Sequence, residues 1–464
     1  MSQKFDLVVI GGGPGGYVAA IRASQLGLKT ALIEKEHLGG ICLNWGCIPT
    51  KALLRSSEVL DLINHSSEFG IKVEGVSFDL KDMIDRSRSI AARLSSGVSM
   101  LLKKNKVSLF EGQGKIIDAS KIHIQTKSNK KVEVETTHII IATGARAKTF
   151  PNLQPDGDNI WTYKEAMVPK DLPKSILIVG SGAIGAEFCS FYKTLGVDVT
   201  LVEALENILP VEDLEISDFV RKSFTDRGIR ILTNSLVNQL NTNNNGVEAS
   251  ITTKDKKESL IFDKVILAMG IVGNIEALGL EDLKVITKDS HIVTDEFSRT
   301  NIKNIYAIGD VTGAPWLAHK ASHEGIVCVE KIAGHNPTPI DKSRIPGCTY
   351  CHPQVASIGY TEKRAKELGF NIKIGKFPFV GNGKAIALGD DKGLIKTIFN
   401  KETGELLGAH LVGSEVTELI QGFSIAKTLE TTEAELMETV FPHPTLSEMM
   451  HESVLDAYNR VIHY

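Results

Sequence analysis

One local plan occurs twice in this chain, at the same internal spacing. The first copy runs from the apolar Asp6-Leu-Val-Val-Ile10 through Gly11-Gly-Gly13-Pro-Gly-Gly16 into a small-residue helical stretch, Val18 to Gly27, and then a second apolar run, Lys29 to Ile33, ending at Glu34. The second runs from Ser175-Ile-Leu-Ile-Val179 through Gly180-Ser-Gly182-Ala-Ile-Gly185 to Asp198-Val-Thr-Leu-Val202 and Glu203. Glu34 lies 23 residues past Gly11, and Glu203 lies 23 past Gly180. A lone G-x-G-x-x-G is often only a loop, but strand, turn, helix, strand and acid in that order predict a βαβ unit. Gly11 and Gly180 permit the tight turn, Gly13 and Gly182 let a pyrophosphate approach the backbone, and Gly16 and Gly185 allow close helix-to-strand packing. The terminal carboxylates can accept hydrogen bonds from a ribose hydroxyl pair. Two dinucleotide sites are therefore predicted.

The second acid also selects its ligand. A carboxylate repels the extra phosphate of NADP, and no Lys or Arg lies between Glu203 and Leu214, so NAD is favoured. Taken alone, Glu203 also reads as a solvated strand-end acid. Each unit later holds a buried strand ending in a small-residue turn: His138 to Thr143-Gly144, and Lys264 to Gly270. A third such strand, Asn304-Ile-Tyr-Ala-Ile-Gly-Asp310, puts an acid at the sheet edge where open parallel sheets bind ligands, and Asp310 there suits polyol hydroxyls or a simple turn.

Length sets the rest of the frame. At about 150 residues per domain, 464 residues suggest about three domains. The predicted class is α/β, with two Rossmann-like dinucleotide-binding domains and a separate C-terminal α+β domain. Boundaries are placed at 1–150, 151–274, 275–345 (a central segment returning to the first unit) and 346–464. Hydrophobic residues make up 42 % and charged residues 23 %, which excludes a largely disordered chain. A net charge of −4 leaves no global basic footprint for nucleic acid. The first residues lack the regions of a secretory signal, and no apolar run reaches the roughly 20 residues of a membrane span, so a soluble cytoplasmic protein is expected. Six cysteines are too few for a disulfide scaffold; a disulfide here is expected to react rather than brace.

Cys42-Leu-Asn-Trp-Gly-Cys47 follows the first unit's acid and precedes Pro49-Thr-Lys51-Ala-Leu-Leu, a predicted helix with proline in its first turn. Thiolate is the reactive form, and helix-end amides lower a thiol pKa from about 8.5 towards neutrality. Gly46 gives the spacer freedom to bring the sulfurs together, although spacing alone does not fix closure. A thiolate beside a flavin can pass two electrons that leave as hydride to NAD. A metal pair and two packed thiols stay open on these residues alone, but no second ligand pair stands nearby and no metal is predicted. Cys348-Thr-Tyr-Cys351-His352 matches a haem-attachment pattern, yet it opens a strand-like run, Gln354 to Gly359, in a chain without an export context, so packing is expected over a zinc or redox role. Cys189 and Cys328 read as core residues. In Phe441-Pro-His443-Pro-Thr445-Leu-Ser-Glu448, His443 can shuttle protons with Glu448 fixing its tautomer; the same residues also read as a loop histidine before a helix cap.

With these residues assembled, the chain closely resembles the class I pyridine nucleotide-disulfide oxidoreductases over nearly its whole length. The resemblance is carried by Gly39-Gly-Ile-Cys42-Leu-Asn-Trp-Gly-Cys47-Ile-Pro-Thr-Lys51, the second nucleotide motif with Glu187 and Glu203, Ile305 to Asp310, Leu317-Ala318-His-Lys-Ala321, and His443 to Glu448. It implies FAD in the first unit, held by Gly11, Gly13, Gly16, Glu34, Lys51, Thr143, Gly144, Asp310 and Ala318. It implies NAD in the second, held by Gly180, Gly182, Gly185, Glu187, Glu203 and Gly270. Cys42 would then be the interchange thiol and Cys47 the flavin contact, with Lys51 and Glu187 an ion pair beside the flavin. The family is homodimeric, so the resemblance makes the C-terminal α+β domain a dimerisation domain, and His443 and Glu448 would serve the other subunit's disulfide. The branch it is most similar to oxidises dihydrolipoamide, presented on a lipoyl-bearing carrier domain of a 2-oxoacid dehydrogenase acyltransferase or a glycine cleavage protein, with NAD as acceptor. Two positions depart from the family pattern: Trp45 stands where a smaller aliphatic residue is common, and Phe441 where a histidine is frequent.

Overall fold

The computed structural model describes residues 3–254 and 256–464. The chain divides into two units: the first holds the segment up to Ala52 with Lys81–Lys148 and Gly270–Ile340, the second Leu53–Leu80, Thr149–Met269 and Asp341–Tyr464. In the first, the strand Gln3–Ile10 lies between Thr30–Glu34 and Lys131–Ile141 and runs parallel to both. Ser108–Asp118 adds beyond Thr30–Glu34, and Ile305–Ala307 beyond Lys131–Ile141, again parallel. Both faces of this sheet are covered, so alternate side chains enter different cores. Leu7 and Val9 meet Ala19, Ala20, Cys328 and Val329 of two helices; Val8 and Ile10 meet Ile116, Ile122 and Ile124 of an antiparallel layer. The helices Pro14–Gln25 and Ala318–Ile332 lie side by side, with Gly15 against Ala321, Gly325 against Ala19 and Arg22 bonded to Glu330 at 2.6 Å. That register makes them parallel, with both N-termini at the carboxyl edge of the sheet.

The second unit repeats the plan. Arg230–Leu232, Asp198–Val202, Ser175–Val179, Lys264–Leu267 and Ile160–Trp161 form a parallel sheet in that order. Like its counterpart it carries a three-stranded antiparallel layer, here Ser235–Asn243, Gly246–Thr253 and Lys256–Phe262. Beyond it, Gly347–Thr349, Gln354–Gly359, Leu406–Gly413, Leu394–Asn400 and Ile372–Pro378 build a five-stranded antiparallel sheet. Helices Val416–Thr428 and Glu448–Ala457 cover it, setting Ile420, Phe423, Met449 and Val454 against Phe377, Phe399 and Leu411. The buried Lys396 ties this sheet to the N-cap of the helix Leu214–Asp226 through Asp213 at 2.8 Å, and pairs with Glu362 of its own part at 2.7 Å. The chain thus forms two doubly wound α/β sheets and a C-terminal α+β part. No helix among the described residues is long and apolar enough to cross a membrane.

Candidate active site

Two of the three motif glycines in each turn are demanded by the backbone. Gly11 has φ +107°, and a Cβ there would lie 2.2 Å from the Ala142 carbonyl oxygen; at Gly16 it would lie 1.8 Å from the Gly11 oxygen. Gly180, at φ +101°, and Gly185 repeat this, with 2.4 Å to the Ala268 oxygen and 2.0 Å to the Gly180 oxygen. The middle glycines behave differently. A Cβ on Gly182 meets nothing within 4 Å, and one on Gly13 nothing nearer than the Gly40 Cα at 3.9 Å. These open positions front two helix N-termini that no side chain caps. Unpaired first-turn amides and the positive end of the helix suit a pyrophosphate, so the residues fit a dinucleotide in each unit.

The two acids are fixed from below. Glu34 accepts from the Gly12 amide at 2.7 Å and the Glu36 amide at 2.6 Å. Glu203 accepts from the Ser181 amide at 2.9 Å, the Ser181 hydroxyl at 2.6 Å and the Leu205 amide at 2.9 Å. Glu203 is buried, which excludes the solvated strand-end acid. Gly270 follows the strand Lys264–Leu267 but opens a segment of the first unit, its carbonyl accepting from the Lys148 amide at 2.9 Å. Glu187, also buried, accepts from the Tyr350 amide at 3.0 Å within the second unit.

In the first unit the small-residue turn is latched by Asn274. Thr143 donates to the Asn274 carbonyl at 2.7 Å, the Asn274 amide side chain returns a bond to the Thr143 carbonyl at 2.9 Å, and its main-chain N–H reaches Gly144 at 2.9 Å. Asp310 lies in the short helical turn Gly309–Thr312. Lys320, with 1 % of its side chain exposed, braces that turn: Nζ donates to the Gly309 and Gly313 carbonyls and the Thr312 hydroxyl, each at 3.1 Å, and pairs with Glu324 at 3.0 Å. Glu324 in turn accepts from the Gly309 amide at 2.7 Å. Ala318 begins the helix Ala318–Ile332, whose N-terminus also lacks a side-chain cap. Asn274 and Glu324 were invisible to motif reasoning; the only sequence signal was the i, i+4 spacing of Lys320 and Glu324.

The two cysteines come together across a helix break. Cys42 lies in the helix Gly40–Trp45, Cys47 opens the helix Cys47–Asn64, and Gly46 separates them at φ −149° and ψ −115°. The hydrogen bond to Cys47, then burial, then the Cys47 and Asp310 charges push the Cys42 thiol above its ordinary range, with Lys51 opposing. Cys42 in turn helps burial raise the Tyr17 phenol, which places Tyr17 in the same neighbourhood. The expected depression of thiol pKa by a helix end therefore does not describe Cys42. It lies within the preceding short helix, where the second sulfur dominates.

His443 and Glu448 also meet, with Nδ1 to Oε1 at 2.9 Å. The other carboxylate oxygen accepts from the Thr445 amide at 2.9 Å. Burial pushes the Glu448 carboxyl up, but the Thr445 amide and His443 outweigh it and hold it below the usual carboxylate range. The Thr445 hydroxyl bonds Pro442 and Ser447 rather than a helix amide, so of the helix-cap alternative only the bond from the Thr445 amide to Glu448 is present. On one chain the His443 side chain is 80 % exposed. Phe441 stacks on His451 with ring centroids 5.5 Å apart. Cys189 and Cys328 are buried in helices, and Cys351 is buried with its thiol donating to the Pro353 carbonyl at 3.1 Å.

Residues 5–325 match the model of the pyridine nucleotide-disulphide oxidoreductases, and residues 345–454 match the dimerisation domain of the same family. The chain belongs to that family. It is 56 % identical to a dihydrolipoyl dehydrogenase of Rhizobium etli and 53 % identical to one of Zymomonas mobilis, each over 100 % of both chains. Among solved structures, LpdA from Mycobacterium tuberculosis superposes with a TM-score of 0.91 at 27 % identity, covering 97 % of this chain and 99 % of that one. Within the family the chain groups with the dihydrolipoyl dehydrogenases, as an oxidoreductase acting on a sulfur-containing substrate.

Proposed function

We propose that the chain reoxidises protein-bound dihydrolipoamide to lipoamide, through a Cys42–Cys47 disulfide and FAD, and passes hydride to NAD+. The observation that carries this is the pairing of the two sulfurs beside Lys51 and Asp310 in the first dinucleotide unit. In the oxidised state the substrate thiolate attacks the Cys42 sulfur, the bond to Cys47 breaks, and Cys47 leaves as thiolate. His443 of the partner subunit takes the substrate proton, and Glu448 of the partner subunit steadies the imidazolium; the exposure of His443 on one chain and the match to a dimerisation domain support that arrangement. The second substrate thiolate then displaces Cys42, closing the lipoamide ring and leaving the enzyme pair reduced by two electrons. Relay of that electron pair from Cys47 to the nicotinamide is the chemistry a bound flavin supplies.

Residues 1–150 and 275–345 hold FAD, with Lys51 and Glu187 beside the flavin; residues 151–274 hold NAD, and residues 346–464 form the homodimer interface. The buried Glu203 favours NAD over NADP. The donor is a lipoyl-bearing carrier domain of a 2-oxoacid dehydrogenase acyltransferase or a glycine cleavage protein, and the setting is cytoplasmic. The test compares dihydrolipoamide, reduced glutathione and buffer as donors to NAD+ and NADP+ with purified protein. Rapid NADH formation with dihydrolipoamide alone is expected; equal rates with glutathione, or preference for NADP+, would overturn the assignment.

A further inference from the structure

The four residues between the two sulfurs are held by one helix. From Leu80–Lys104, Arg88 donates through Nη2 to the Asn44 carbonyl at 2.6 Å and lays its guanidinium over the Trp45 ring at 4.4 Å. Its neighbours grip the chain just beyond Cys47: Ser87 donates to the Pro49 carbonyl at 3.0 Å and Arg86 to the Ala52 carbonyl at 2.9 Å. Seven residues along the same helix from Arg88, Ser95 donates to the Leu38 carbonyl at 2.9 Å, which also accepts from the buried Asn44 side chain at 2.9 Å. The Arg88 seat is not optimal for Arg88 itself, because its Nε is buried without a hydrogen-bond partner among the described residues. The stack on Trp45 and the bond to Asn44 outweigh that loss. A planar guanidinium can stack and donate in one plane at once, which an ammonium cannot.

We propose that Arg88, seated on Trp45, is a positioning residue for the redox couple. It holds the helix end Leu43–Trp45 and the break at Gly46 so that the Cys42 and Cys47 sulfurs stay within bonding reach, raising their effective concentration and favouring the disulfide. The proposal rests on the redox assignment of these two cysteines. Loosening this segment lowers effective concentration and shifts the exchange towards the dithiol. In that exchange the enzyme S–S bond breaks, the lipoamide S–S bond forms, and two hydrogens pass from dihydrolipoamide to the enzyme thiols.

The experiment equilibrates the flavin-loaded protein anaerobically with defined dihydrolipoamide-to-lipoamide ratios, quenches in acid, and counts alkylated Cys42 and Cys47 by mass. Arg88→Met and Trp45→Val are expected to reach half-reduction at a ratio about tenfold lower than the parent, equivalent to about 30 mV. Arg88→Lys, keeping the charge but not the fork, falls between, and Trp45→Phe, keeping a ring face, stays near the parent. Loss of fold stability alone would lower the melting temperature without moving this ratio. Parent-like ratios in both Arg88→Met and Trp45→Val would overturn the proposal. Parent protein whose two cysteines alkylate fully without any dihydrolipoamide would instead sink the redox assignment beneath it.

Discussion

Asp310 is a carboxyl group kept where the fold disfavours its charge. Burial pushes it up, Lys320 pulls it down, and Glu324 pushes it up again, with a net rise. A raised carboxyl favours folding while protonated, and that contribution is lost as pH rises through its folded pKa. Ionising this group therefore costs the ligand-free fold stability as pH rises. Asp310→Asn is expected to raise the melting temperature of flavin-stripped protein at pH 7, with a smaller gain near pH 4, while weakening FAD retention. Melts at both pH values check this, and a lower melting temperature at pH 7 would contradict it. His443 makes a second expectation at this scale. Its acidic partner is Glu448, whose other oxygen accepts from the Thr445 amide. His443→Gln should slow dithiol oxidation by about 10² to 10⁴, yet leave NADH oxidation by an artificial flavin oxidant close to the parent rate. Equal slowing of both reactions would remove the histidine from proton transfer.

The Gly-rich turns separate packing from binding at the scale of a single strand–turn–helix element. Gly185→Ala must open the contact with the Gly180 oxygen, 2.0 Å from the added carbon, and is expected to cost more than about 3 kcal/mol. Gly182→Val has open space around its Cβ, so the melting temperature should hold while the KM for NAD+ rises by about tenfold or more. Thermal melts beside NAD+ kinetics distinguish the two, and a folded Gly185→Ala with normal kinetics would refute the packing argument. Both turns were legible in the sequence because their chemistry is local: a positive φ and a close backbone approach leave glycine no substitute. The strand Gln354–Gly359 was legible too, as a strand-like run. The antiparallel layers were not. Ser108–Asp118 and Lys131–Ile141 each pair parallel at one end and antiparallel at the other, so no single periodicity describes them. Arg88 and Asn274 were equally hidden, since they reach their targets across 44 and 131 residues of sequence through long-range bonds.

At the scale of the whole molecule, His443 is exposed on a domain whose family model is one of dimerisation. Val440, three residues earlier, is 93 % exposed, which suits a surface that a second copy covers. If each active site joins Cys42 and Cys47 of one chain to His443 of the other, two inactive variants can repair each other. Cys42→Ser and His443→Gln chains, dissociated and reassociated at equal amounts, should recover about one quarter of parent activity, because half the dimers are mixed and each mixed dimer has one intact site. No recovery, with mixed dimers verified by mass, would place the histidine in cis. The sulfur relay itself is decided by one titration. A single equivalent of dihydrolipoamide, added without oxygen to the flavin-loaded protein, is expected to expose the Cys42 thiol to alkylation and to produce long-wavelength absorbance from a Cys47 thiolate against the flavin, an absorbance missing in Cys47→Ser. Bleaching of the flavin while both cysteines stay closed to alkylation would contradict it.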